Sequence, residues 1–369
     1  GRRIHLISFE KADDWANVAE RVRLARDIAS AGIAWHPLRY HKAPSVLATA
    51  FDIMQGIIVG VWLCVRYKIK IIHARSYIPS VIALTLKKLF NVKYIFDMRG
   101  FWADERIDGG LWPKGGRIYR VAKWFEKRFL LSADSVVSLT NAAVDEMKKF
   151  DYLQGRLPNF KVITTCTDLN LFDFKKTNIN NSSKESFVLG YVGSVGVWYL
   201  FDETLNCFKL ILEKVPSAQL HIINRGGHQY IRERLIDKRI NPNKVMIETS
   251  DHAGVAKAMQ SMDVGIFFIK PVYSKMSSAP TKLGEFLGCG IPCLSNTKVG
   301  DMAVILNDEK VGVALDSFDE TSMKLGIEEL MTLLNDPEIR ERCRSTALKY
   351  FSLDIGVRSY NHIYNRLIS

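Results

Sequence analysis

Residues 277–294 read SSAPTKLGEFLGCGIPCL, and several of these side chains are of types that serve an anionic ligand. Ser278 and Pro280 precede a helix predicted to open near Thr281, where unpaired backbone N–H groups and the positive helix end would face a diphosphate. Lys282 adds a full charge in the first turn. Glu285 follows Lys282 by three residues and Thr281 by four, so the three share a face, and a carboxylate there can accept both hydroxyls of a ribose. Gly288 and Gly290 close the helix before a strand at Pro292. A solvated Lys–Glu pair on an ordinary helix is the plainer alternative. A second group, Asp97-Met98-Arg99, ends a β-rich run, at the edge where open α/β sheets hold ligands. Asp97 could orient a hydroxyl or take its proton, and Arg99 could hold a phosphate. A structural Asp–Arg pair organising the loop through Asp104, Glu105 and Arg106 fits the same spacing. His73 and Arg75, at the end of the preceding run, carry the same ambiguity. His252 lines a base pocket or, more simply, caps its helix. The loop 109–116 has four glycines but no Lys-Ser/Thr after them, and reads as a mobile lid.

Positioning these groups requires strands and helices in alternation, and the chain supplies them. Short β-branched runs at 4–8, 34–37, 69–73, 94–97, 135–139 and 161–164 alternate with amphipathic stretches, including one from about Asp14 to Gly32 and one over 117–131. That order is the pattern of parallel βαβ units. The segment 178–185, NINNSSKE, is polar and turn-forming, and is the natural linker and hinge. Beyond it the pattern repeats, with strands at 189–192, 219–223, 245–248, 264–268, 292–295 and 311–315. The fold class is therefore α/β, two doubly wound domains facing across a crevice. Two last helices, 337–350 and 353–368, have no strand after them and are free to cross back to the first domain.

The 369 residues are 47% apolar and 24% charged, which excludes a disordered tail or a collagen. Of the net +12, residues 1–170 hold +11, from 27 basic and 16 acidic side chains. One half thus offers a cationic surface to an anionic partner. No helix-turn-helix or aromatic-basic module supports nucleic acid as that partner. Six scattered cysteines without a CxxC pair suggest neither disulfides nor zinc, and a reducing cytoplasm fits them. The most apolar stretch, 47–67, is interrupted by Asp52 and Gln55 and reads as a buried helix; its flank, Arg66, Lys68 and Lys70, suits a lipid headgroup layer.

The 277–294 run resembles the donor-binding signature of family-4 retaining glycosyltransferases of the GT-B fold, and the resemblance extends over nearly the whole chain. Tyr191-Val192-Gly193-Ser194-Val195-Gly196 resembles that family's glycine loop, and residues 163–172 resemble its lead into the linker. His73-Ala74-Arg75-Ser76 and Phe96-Asp97-Met98-Arg99-Gly100-Phe101-Trp102 resemble a bacterial branch. The resemblance implies an acceptor domain over 1–172, a linker over 173–186, a nucleotide-sugar domain over 187–350 and a returning helix over 351–369. It implies a further strand, glycine loop and helix ahead of residue 1. It implies donor contacts from Gly193, Ser194, Gly196, Arg225, Ser278, Thr281, Lys282 and Glu285. Asp97, Arg99 and Lys282 would be catalytic, and His73, Arg75 and Trp102 would lie on the acceptor side. The substrates implied are a nucleotide-diphosphate sugar and a glycan or lipid-linked acceptor, with retention of configuration, no cofactor and no metal, in keeping with the lack of an Asp-x-Asp motif. The enzyme would be cytoplasmic, with its basic domain suited to the inner membrane face. Departures are specific. Ser277 replaces the first of two family glutamates, Arg99 replaces a histidine, and the Arg and Lys usual after the glycine loop are absent, leaving Lys282, Arg225, or Lys270 and Lys275 to meet the diphosphate. A non-catalytic nucleotide-sugar scaffold and an epimerase of the same fold remain alternatives.

Overall fold

A computed structural model describes residues 2–173 and 187–368; the 178–185 hinge lies outside the described residues. The first domain runs β1 (Ile4–Glu10), α1 (Ala12–Ala16), α2 (Val18–Ser30), β2 (Ile33–Arg39), α3 (Ser45–Tyr67), β3 (Ile71–Arg75), α4 (Tyr77–Phe90), β4 (Lys93–Asp97), α5 (Trp102–Asp108), α6 (Arg117–Ser132), β5 (Ser135–Ser138), α7 (Asn141–Lys148) and β6 (Phe160–Val162). All its strand pairs are parallel: β1 pairs β2, and β3-β4-β5-β6 form a separate four-stranded sheet. The single helix predicted from Asp14 is broken at Asn17, whose side chain accepts a hydrogen bond from the Glu20 N–H and caps α2.

The second domain runs β7 (Val188–Val192), α8 (Phe201–Lys214), β8 (Gln219–Ile223), α9 (His228–Asp237), β9 (Val245–Glu248), α10 (His252–Met259), β10 (Val264–Ile266), α11 (Thr281–Gly288), β11 (Cys293–Asn296), α12 (Met302–Asp308), β12 (Gly312–Leu315), α13 (Glu320–Leu334) and α14 (Ile339–Tyr350). Its six parallel strands are ordered β12-β11-β10-β7-β8-β9. The order reverses between β7 and β10, which opens a crevice at their carboxyl ends. The last helix, α15 (Leu353–Ile368), returns to the first domain, where Ile363 packs with Ile95, Val137 and Ile163.

One expectation fails. Helix α3 is not a buried core helix: it packs by a face of Ala48, Asp52, Gly56, Gly60 and Cys64, while Leu47, Phe51, Met54, Ile58, Trp62 and Val65 are exposed. Its apolar residues run all the way round, so periodicity alone could not say which face was covered. Gly56 and Gly60 decide it. A Cβ at either would strike Ile82 or Leu86 of α4, so the glycines let the two helices meet closely. By length and composition α3 could also cross a membrane.

Candidate active site

The residues expected to face a donor lie at the β7/β10 switch point. Gly193 follows β7 with φ 124°, a conformation few other residues adopt, and a Cβ there would lie 2.6 Å from the Lys282 Nζ. Asn224 at the end of β8 fixes this loop, its Nδ2 donating to the Gly193 carbonyl at 2.8 Å. Gly196, also at positive φ, begins the turn that folds Tyr199 back, with the Tyr199 N–H donating to the Gly196 carbonyl. Ser194 contributes its carbonyl, which accepts from the Tyr191 hydroxyl at 2.7 Å.

Lys282 enters this space from the first turn of α11. It is 8% exposed, and its Nζ has no hydrogen-bond partner. Instead it sits over the Tyr199 ring at 3.9 Å, with Phe267 at 5.3 Å and Tyr191 at 5.5 Å. Burial lowers its ammonium to about 7, only partly opposed by Glu285. No side chain caps α11 at Pro280, so the Thr281 and Lys282 N–H groups stay available, while the Leu283 N–H donates to the Pro280 carbonyl. Glu285, 13% exposed, lies 3.5 Å from the His252 Nε2; burial raises its carboxyl above the usual range, against the pull of His252. The cap of α10 is Asp251, which accepts from the Gly254 N–H, so His252 does not cap and instead faces Glu285 and the Phe172 ring.

Other predicted donor residues are spread more widely. Ser278 and exposed Thr281 lie at the α11 approach. Arg225 is exposed beyond β8, with no contact to Lys282. Lys275 is buried and engaged by Glu105 at 2.7 Å, so it is not a free cation for a diphosphate. Ser277, where the family carries a glutamate, is an interdomain strut: its Oγ accepts from the Phe101 N–H at 2.8 Å.

The residues expected on the acceptor side stand at the ends of β3 and β4. Asp97 is 4% exposed; its Oδ2 accepts from the Tyr360 hydroxyl at 3.0 Å and lies 3.4 Å from the His73 Nε2, while its Oδ1 has no partner. His73 is held on its other side by Tyr364, Nδ1 to hydroxyl 2.7 Å. Arg75 is the register partner of Asp97, and Arg99 follows at φ 63°. Trp102 packs between Tyr77 and Trp112, with Arg106 on its face, and belongs to the framework of α5. In the loop 109–116, Gly109 faces the Trp198 ring of the second domain, which a Cβ there would meet at 3.0 Å. Tyr199, Asn224, Tyr360 and Tyr364 escaped the sequence reading. For the last two, the spacing of four on an amphipathic helix was the available sign.

A cavity of about 600 Å³ also runs along the seam between the domains, on the other flank of the Ser278–Pro280 turn. Leu283, Met302, Ile305 and Phe351 line it, and none of Asp97, Lys282 or Glu285 does.

Comparisons with known proteins agree with this architecture. A glycosyltransferase from Rickettsia africae superposes with a TM-score of 0.72 at 13% identity over 100% of both chains. A sucrose-phosphate synthase from Thermosynechococcus elongatus gives 0.69 at 15% identity, over 99% of this chain and 98% of the other. Anabaena HepE in complex with UDP and glucose gives 0.64 at 13% identity over the full length of both. These likenesses establish the GT-B fold. A search of curated proteins by sequence finds no match. Family models do match: a glycosyl transferase 4-like domain over residues 7–156 and a glycosyl transferases group 1 domain over 173–350. Built of those two domains in that order, the chain belongs to the glycosyltransferases of the GT-B type.

Proposed function

We propose that this glycosyltransferase moves a sugar from a nucleoside diphosphate donor to a hydroxyl of a glycan or lipid-linked acceptor, with retention of configuration and without a metal ion. The observation that carries the reading is Lys282, a buried ammonium with no partner beside a glycine loop and an uncapped helix end. An uncompensated cation in that position is costly unless an anion completes it. A diphosphate does so, and the same groups then stabilise the charge that grows as it departs. Glu285 accepts the ribose hydroxyls, with His252 beside it. Asp97, through its free Oδ1, orients the acceptor hydroxyl and takes its proton as the new glycosidic bond forms on the face the diphosphate leaves. Most of the acceleration is positioning across the crevice.

The complexes of HepE with UDP and UDP-glucose make uridine diphosphate sugars the first donors to test. Hydrolysis and transfer from UDP-, GDP- and ADP-sugars, with Glu285→Ala as control, decides the matter. One of them should turn over and the variant should lose at least tenfold in donor affinity. Binding without turnover on any acceptor would favour the scaffold, and no binding would refute the reading.

The exposed stripe of α3, with Arg66, Lys68 and Lys70 at its end, supports a peripheral position on the cytoplasmic face of an anionic membrane. There a lipid-linked acceptor would be within reach.

A further inference from the structure

Arg75 and Arg99 stand side by side at the carboxyl edge of the first domain's sheet, and among the described residues neither guanidinium has an ion-pair or hydrogen-bond partner. Arg99 adopts φ 63° and Ser76, next to Arg75, φ 76°, backbone conformations that cost a residue with a Cβ about 1–2 kcal/mol. The Ser76 N–H donates to the Asp97 carbonyl at 2.7 Å, tying the two loops together. Ser76 also begins α4 without a side-chain cap, so the Tyr77 and Ile78 N–H groups of this 14-residue helix, whose third residue is Pro79, open beside Arg75. Burial, and then the nearness of Arg75, hold the Arg99 guanidinium below its ordinary pKa, against the pull of Asp97. The one carboxylate present, Asp97, is turned to Tyr360 and His73 through Oδ2, and its buried Oδ1 is unpartnered.

We propose that Arg75, Arg99 and the amino end of α4 form a phosphate site on the acceptor side, so that the acceptor is a phosphorylated molecule whose hydroxyl meets the free Oδ1 of Asp97. This rests on the glycosyl transfer reading above and names the class of acceptor. Two guanidiniums on neighbouring strand ends suit the several oxygens of a phosphate better than a single neutral sugar ring. The site is distinct from the donor's, whose cation is Lys282. Helix α3 bears on the source of the phosphate. Gly56 meets Ile82 and Gly60 meets Leu86, so α3 and α4 run parallel. Extending that register brings the start of α4 level with Phe51, in the exposed apolar stripe. A phosphate seated at Arg75 therefore lies at the height of a lipid-facing surface.

Calorimetry on the full chain saturated with UDP tests this, using farnesyl phosphate, glucose 1-phosphate and uncharged farnesol. Both phosphates should bind, and farnesol should not. A tighter farnesyl arm identifies a lipid phosphate, and equal arms a soluble sugar phosphate. Arg75→Gln and Arg99→Asn, the latter chosen because asparagine tolerates positive φ, should weaken both phosphates at least tenfold while leaving UDP affinity and the melting temperature unchanged. Phosphate binding that UDP displaces, or that survives both substitutions, would overturn the proposal. If UDP itself does not bind, the donor reading fails. The present inference is then judged on the free protein, where Arg75→Gln must abolish phosphate binding and Lys282→Met must not.

Discussion

Lys282 concentrates the chemistry of the proposed donor site in one side chain. Its ammonium titrates near 7 in the ligand-free protein, against about 10.5 for an ordinary lysine. Between those values the unfolded chain holds a proton that the folded site has shed, so this residue makes the ligand-free protein more stable as pH rises from about 7 to about 10. Lys282→Met removes the strain below pH 7 and should raise the melting temperature there in calorimetric scans while abolishing donor binding. A donor diphosphate favours the charged form. UDP affinity should therefore be greatest below pH 7 and fall as pH rises through it, by up to ~10-fold per unit, and the Lys282→Met variant should show no such slope. Lys282 and Glu285 were legible in the sequence because they sit in one helical segment with its capping turn. Tyr360 was not, since it reaches Asp97 from 263 residues away, and local spacing carries no trace of such a contact. His252 was misread for a nearer reason: Asp251, one position earlier, is the better cap.

The elements repeat that division. Alternation of β-branched runs with amphipathic stretches disclosed the strands of both sheets, because a parallel strand must be apolar and a crossover helix two-faced. It could not disclose how α3 sits, since that helix is apolar on every side and is oriented by two glycines. Gly56→Leu and Gly60→Leu should each cost about 1–3 kcal/mol in denaturant unfolding by forcing α4 away. On the opposite face, Ile58→Glu with Val65→Glu should leave unfolding almost unchanged and lower binding to phosphatidylglycerol vesicles severalfold in a sedimentation assay. Equal vesicle binding by that double variant would remove the membrane reading of the helix.

Across the whole molecule, polar contacts join the two domains. The Asp301 carboxylate accepts from the Asn141 and Ala142 N–H groups at the start of α7, Lys275 pairs with Glu105, and Ser277 receives the Phe101 N–H. Asp301→Ala strips an anion from a helix amino end, a loss of about 1–2 kcal/mol. It should loosen the contact between the domains, read as a larger radius of gyration in small-angle scattering that UDP partly restores.

Helix α15 carries a consequence for synthesis. The side chains that hold Asp97 and His73 lie 263 and 291 residues after them, so the strands they serve leave the ribosome long before Tyr360 and Tyr364 do. A nascent chain halted before Leu353 would have its glycine loop and Lys282, but neither of the tyrosine hydroxyls that hold Asp97 and His73.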